Sequence, residues 1–202
     1  MKIQIKNRFT GKVIFEVEAL NIKIAVELAV KQGSDLRGSN LSYSDLRGSN
    51  LRGSNLSCSD LRGSNLRGSN LSYSDLRGSN LRGSNLSCSD LRGSNLSCSD
   101  LSGSNLSYSD LRGSDLSCSN LRGSKNYSES HSFFKEIIRR QKTDTFTDRE
   151  WCAIGQIIIY TLCWDSIKNR FADCMGSIFD KLAKAGFDEF KKKWEEILNE
   201  TT

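Results

Sequence analysis

The sequence predicts a mainly β chain organised as a four-sided solenoid with a non-repetitive cap at each end, and three observations predict it. From Ser34 to about Ser124 the chain repeats every five residues, one phase of that repeat is leucine eighteen times without a substitution, and the alphabet changes abruptly on both sides. A continuous helix rotates residues five apart by about 140° beyond a full turn, and a continuous strand puts them on opposite faces, so neither buries every leucine. The period closes if the chain turns a corner once per repeat and four repeats complete a coil of about twenty residues.

The inward side chains are then Leu36, Leu41, Leu46, Leu51, Leu56, Leu61, Leu66, Leu71, Leu76, Leu81, Leu86, Leu91, Leu96, Leu101, Leu106, Leu111, Leu116 and Leu121. At a strand spacing of roughly 4.8 Å, about four and a half coils make a rod about 22 Å long. The serine two residues before each leucine also faces inward, where an unpaired hydroxyl costs about 1–3 kcal/mol. Each is therefore expected to bond a backbone carbonyl or the serine stacked on it. The residue before each leucine and the two after it are expected to face solvent.

The second residue after leucine is Gly in eleven repeats, Cys in four (Cys58, Cys88, Cys98, Cys118) and Tyr in three (Tyr43, Tyr73, Tyr108). Glycine permits the positive φ of a type II turn and the other two resist it, so two corner geometries are expected. Arg precedes Gly in ten of the eleven cases, Ser102-Gly103 being the exception, and Ser always precedes Tyr or Cys. Two words repeated without drift, in a chain with no proline, read as a designed or consensus-engineered array.

At every repeat, residues 34–124 resemble the pentapeptide-repeat family, whose motif A(D/N)LXX is written here S(D/N)L(R/S)(G/C/Y). The resemblance implies a right-handed quadrilateral β-helix with backbone ladders between coils and turns at the corners. One departure is systematic: serine stands throughout where the family usually has alanine.

Residues 1–33 are expected to cap the first coil. Residues 2–18 read as a hairpin, with Ile3 and Ile5 answering Val13, Phe15 and Val17 around a Thr10-Gly11 turn. Residues 20–32 then carry Leu20, Ile24, Leu28, Ala25 and Ala29 at helical spacing, with Gly33 as the stop. Residues 125–202 form a helical cap or assembly domain, opened by Phe133, Phe134, Ile137 and Ile138. Thr147-Asp148-Arg149-Glu150 is a capping box ahead of the apolar run from Trp151 to Trp164, and Gly186 breaks the chain before a last helix with Phe187, Phe190, Trp194, Ile197 and Leu198. A homodimer through residues 131–202 is one expectation, because this end is richer in large apolar side chains than a cap needs.

The function classes narrow quickly. A formal net charge of +5, from 29 basic and 24 acidic residues, is too mixed to mark a nucleic-acid binder. No apolar run approaches a membrane span, and no signal peptide is evident. Seven cysteines, an odd number without C-x-x-C pairs, argue against a secreted disulfide framework and for a cytoplasmic location. His131 is the only histidine, so a His-based acid/base pair or multi-His metal site is excluded. No phosphate-binding, dinucleotide, nucleophile-elbow or zinc-protease motif occurs, so the expectation is no enzyme, no cofactor and no metal.

Cys98 and Cys118, twenty residues apart, should stack in consecutive coils. Cys152, Cys163 and Cys174 recur every eleven residues and read as buried structural thiols. The leading functional expectation is a structural scaffold with no native ligand. A second is the protein-binding role of family members whose acidic rod mimics DNA and engages a type II topoisomerase; ten Arg against eight Asp in residues 34–124 count against it. A third, binding of an ice lattice by rows of Ser and Asn, suffers from the Arg that interrupts every face.

Overall fold

Alternating apolar residues form a hairpin of β1 (Lys2–Lys6) and β2 (Val13–Glu18), antiparallel, with Ile3 opposite Val17 and Ile5 opposite Phe15. The computed structural model describes residues 1–127, 131–160 and 162–199, in two compact units, Met1–Ser132 and Phe133–Thr202. A helix, α1 (Ile22–Lys31), follows the hairpin; the Asn21 side chain caps it by accepting from the Ile24 amide at 3.0 Å. It ends in a Schellman arrangement, where Gly33 (φ +69°) donates to Val30 and Ser34 donates to Ala29. The buried face of α1 is Ala25, Val26 and Ala29, whereas Leu20 lies outside the helix and is 81% exposed. Small side chains let this helix approach closely, and Leu20 precedes the cap that sets the face.

The array follows at once. Parallel bridges join residues twenty apart, from Asn40↔Asp60 to Asn105↔Lys125, so each repeat stacks on the one four repeats earlier. Around Leu81 the scheme reads as follows: the Asn80 amide donates to Ser59, the Leu81 amide to Asp100 and the Gly83 amide to Ser102, all at 2.7–2.9 Å. The Ser84 amide closes the corner on the Leu81 carbonyl at 3.0 Å. All eighteen leucines are 0–3% exposed.

Two expectations need correction. The chain is not mainly β by regular strand, since β1 and β2 are the two named strands of the described residues. A chain that turns in every repeat leaves one ladder residue between corners, too short for a strand. Nor are there two corner geometries: φ lies between +55° and +69° at all eighteen corners, Tyr and Cys included. A left-handed L-residue costs roughly 1–2 kcal/mol. At corners with a further coil stacked on them, such as Tyr43, Tyr73 and Cys98, leaving that region would orphan the inter-coil bond and the turn bond, at about 1–3 kcal/mol each when buried.

The first coil is closed by its own N-terminal segment. The Asn40 amide donates to Lys6, the Arg8 amide to Gly38, and Glu27 Oε1 accepts from the Asn50 amide, at 2.7–2.8 Å. The Lys6 carbonyl and the Glu27 carboxylate take the ladder positions at Asn40 and Asn50 that a preceding coil would otherwise fill, which blunts the exposed edge.

The second unit holds α3 (Asp148–Tyr160), α4 (Trp164–Lys184), α5 (Glu189–Asn199) and nearly all of α2 (His131–Arg139). Its aromatic centre brings Phe179 within 5.9 Å of Trp194 and Phe134 within 5.2 Å of Phe190, ring centre to ring centre. The capping box is reciprocal: the Glu150 amide donates to Thr147 Oγ1 and the Thr147 amide to Glu150 Oε2. The apolar run from Trp151 to Trp164 is split between α3 and α4. Phe187 precedes α5 rather than lying on it, after Gly186 at φ +91°. His131 opens α2, and its side chain lies outside the described residues. Cys174 is buried, but Cys152 and Cys163 are exposed, because the break between α3 and α4 removes the common face their spacing would give them.

Candidate functional site

The surface available to a partner in the first unit is the outside of the rod, and its polar groups are largely used by the rod itself. In all eighteen repeats the Asp or Asn before leucine accepts a hydrogen bond from the amide two residues on, from Arg37 to Asp35 through Arg122 to Asn120. This Asx turn supplies the bend into the corner and explains why the position is always Asp or Asn. Most of these residues in the inner coils are half-buried, and Asp60 is buried, rather than solvated as the sequence suggested.

Where Asp meets Arg in one repeat the two also pair. Arg37–Asp35, Arg47–Asp45, Arg62–Asp60, Arg77–Asp75, Arg92–Asp90 and Arg112–Asp110 close at 2.5–2.7 Å. The side-chain hydrogen bond from arginine holds the carboxyls of Asp45, Asp75, Asp90 and Asp110 below their usual range. At Asp60 burial pushes the other way, and the Arg62 bonds outweigh it. Arg92 also reaches Asp110 of the next coil at 3.7 Å, which makes a small alternating network.

The corners form columns. Tyr43 lies over the corner of Gly63 and Tyr73 over that of Gly93, so close that a Cβ on either glycine would come within 2.7–2.8 Å of the ring. The Arg52 guanidinium lies 5.4 Å from the Tyr73 ring centre. Tyr43, Tyr73 and Tyr108 are strongly exposed but belong to three different columns, so they make no common patch. Cys58, Gly78, Cys98 and Cys118 share one column, and the four corner thiols are free and exposed.

The inward serines divide sharply. Ser39 donates to Ser59, and Ser59, Ser74, Ser89, Ser94 and Ser99 among others donate to a leucine carbonyl. The hydroxyls of Ser49, Ser54, Ser64, Ser69, Ser79, Ser84 and Ser104 are buried without a partner, contrary to the expectation that every one is satisfied. All seven follow a glycine corner, while each of the seven serines that follow Tyr or Cys has its bond.

One open cleft of about 430 Å³ lies between the hairpin and the first coil, lined by Asn7, Phe9, Ile14, Asp35, Arg37, Gly38 and Cys58. Its two charges already neutralise each other at 2.6 Å. Among the described residues, no three His, Cys, Asp or Glu side chains gather as a metal would require, and no helix is long and apolar enough to cross a membrane.

The family model for pentapeptide repeats matches in eight copies, over residues 32–68, 59–97 and 94–125. No curated protein matches the chain. Among solved structures it is similar to a pentapeptide repeat protein from the Arabidopsis thaliana thylakoid lumen, at 29% identity over 45% of this chain and 66% of that one, with a TM-score of 0.32. It is similar to Rfr23 of the cyanobacterium Cyanothece 51142 at 32% identity over 45% and 63% of the two chains, with a TM-score of 0.24. QnrB1, a plasmid-mediated fluoroquinolone resistance protein, matches at 19% identity over 44% and 61%, with a TM-score of 0.28. The chain thus spans somewhat under two thirds of the length of each. With leucine buried, Asx turn made and corner closed at every repeat, residues 32–125 of this chain belong to the pentapeptide repeat family.

Proposed function

We propose that this protein is a non-enzymatic structural scaffold whose rod presents no built binding site of its own. The observation that carries the reading is the self-satisfied surface: all eighteen Asx side chains are committed to local amides, and six of the eight Asp in the rod are neutralised by the Arg two residues on. A surface of this kind offers a partner little unspent hydrogen bonding and no field of one sign. Family membership supports the same reading, since pentapeptide repeat proteins are in general structural or protein-interaction modules. It also implies the right-handed, four-sided course of the coil, with which bridges between residues twenty apart agree.

The competing reading, a DNA-mimicking partner of a type II topoisomerase, requires an acidic rod. The array carries ten Arg against eight Asp, and Arg52, Arg67, Arg82 and Arg122 follow Asn rather than Asp. The discriminating experiment is a gyrase supercoiling assay with the full chain in excess over enzyme. Unchanged supercoiling, with and without a fluoroquinolone, is the expected result; a dose-dependent inhibition or protection would replace the scaffold reading with the binding one.

A further inference from the structure

Of the four corner thiols, two have another thiol in the neighbouring coil. Cys58 stands between Gly38 and Gly78 in its column, and Cys88 between Gly68 and Tyr108, but Cys98 is followed directly by Cys118. The ladder fixes this register: Asn95 bridges Asp115, and the Cys98 amide donates to the Ser117 carbonyl at 2.8 Å. The two corners have nearly the same backbone conformation, φ +58° and +56°, so their Cα–Cβ bonds leave the rod side by side. Stacked coils about 4.8 Å apart put the Cα atoms inside the roughly 4.4–6.8 Å range that a disulfide spans. Both side chains are exposed and neither thiol is engaged in a disulfide.

We infer that Cys98 and Cys118 form an oxidisable dithiol site, closed by small-molecule disulfides into a staple between two adjacent coils. The Cys98 thiolate attacks one sulfur of a disulfide such as oxidised glutathione, forming a mixed disulfide and expelling one glutathione thiolate. The Cys118 thiolate then attacks the Cys98 sulfur and expels the second. The two cysteines lose their two thiol protons and two electrons, and one oxidised glutathione becomes two reduced ones. Either cysteine can act first. The second step distinguishes this pair, because the resolving thiol is held beside its target and is far ahead of a second glutathione from solution. Cys58 and Cys88 are also exposed corners, with no resolving thiol beside them, and they serve as controls within the same chain.

The test equilibrates the reduced full chain with glutathione mixtures of increasing oxidised fraction, traps free thiols by alkylation and maps each cysteine by peptide mass spectrometry. The expected result is a Cys98–Cys118 disulfide within a monomer, formed at an oxidised-to-reduced ratio at least about ten-fold lower than the one that puts glutathione on Cys58 and Cys88. In the Cys118→Ser chain, Cys98 is expected to carry glutathione at the same ratio as Cys58. Glutathione adducts on Cys98 and Cys118 of the unmodified chain, matching those on Cys58 and Cys88, would overturn the proposal. So would a disulfide between them found only in cross-linked dimers.

Discussion

Replacing Ser64, Ser84 and Ser104 together by alanine is expected to raise the unfolding free energy of the repeat array by about 3 kcal/mol, at about 1 kcal/mol or more for each buried, unpaired hydroxyl removed. The three stand in consecutive coils, each is at most 1% exposed, and none has a hydrogen-bond partner. Ordinarily a large-to-small change in a core destabilises. Here the atom deleted is polar and its desolvation is uncompensated, so the sign reverses. The matched control is Ser74, Ser89 and Ser99, whose hydroxyls donate to leucine carbonyls at 2.5–2.6 Å. Alanine at these three should cost about 1 kcal/mol each. Denaturant unfolding of the two triple variants decides the matter: shifts of opposite sign are expected, and shifts of the same sign would mean that the environments do not differ.

Acid should weaken the helical unit through Glu150. Burial alone would raise its carboxyl, but the Lys181 ammonium at 2.6 Å, the Thr147 amide and the hydroxyls of Ser177 and Thr147 together lower it from 4.5 to about 2. A carboxyl depressed in the folded state contributes stability that is fully present above its unfolded value and is lost as pH falls through the folded one. That share, on the order of 3 kcal/mol, should therefore be intact above about pH 5 and disappear between about pH 4.5 and 2. Trp151, Trp164 and Trp194 are the only tryptophans and all lie in this unit, so their fluorescence reports its unfolding alone. The unmodified chain and Glu150→Gln should differ by that amount at pH 7 and converge toward pH 2. A pH-independent difference would place the contribution of Glu150 in packing rather than charge.

The parts of this fold that could be read from the sequence are those set by local pattern. The five-residue leucine phase requires a corner in every repeat, and Thr147 and Glu150 stand at capping-box spacing. Gly33 lies one residue past the C-cap of α1. What could not be read is imposed by a neighbour twenty residues away. Tyr43 and Cys58 prefer negative φ as isolated residues, yet the coil beneath each one fixes its corner. The constant Asp or Asn before leucine did carry a signal, since these two residues share the ability to bond an amide two positions on. Reading it as motif alone missed its mechanical role. The division among the inward serines has only a partial sequence correlate, the glycine that precedes each unpaired one, because Ser94 and Ser114 also follow glycine and do make their bonds.

The eighteen repeats share one corner geometry whatever residue stands there. Residue-resolved amide hydrogen exchange tests it most directly, at Tyr73, Cys88 and Cys98 against Gly83 and Gly93, all of which donate to the next coil at 2.8–3.0 Å. Comparable protection is expected at all five. Fast exchange confined to Tyr73, Cys88 and Cys98 would contradict it, because it would mean that these corners abandon the left-handed turn and its ladder bond.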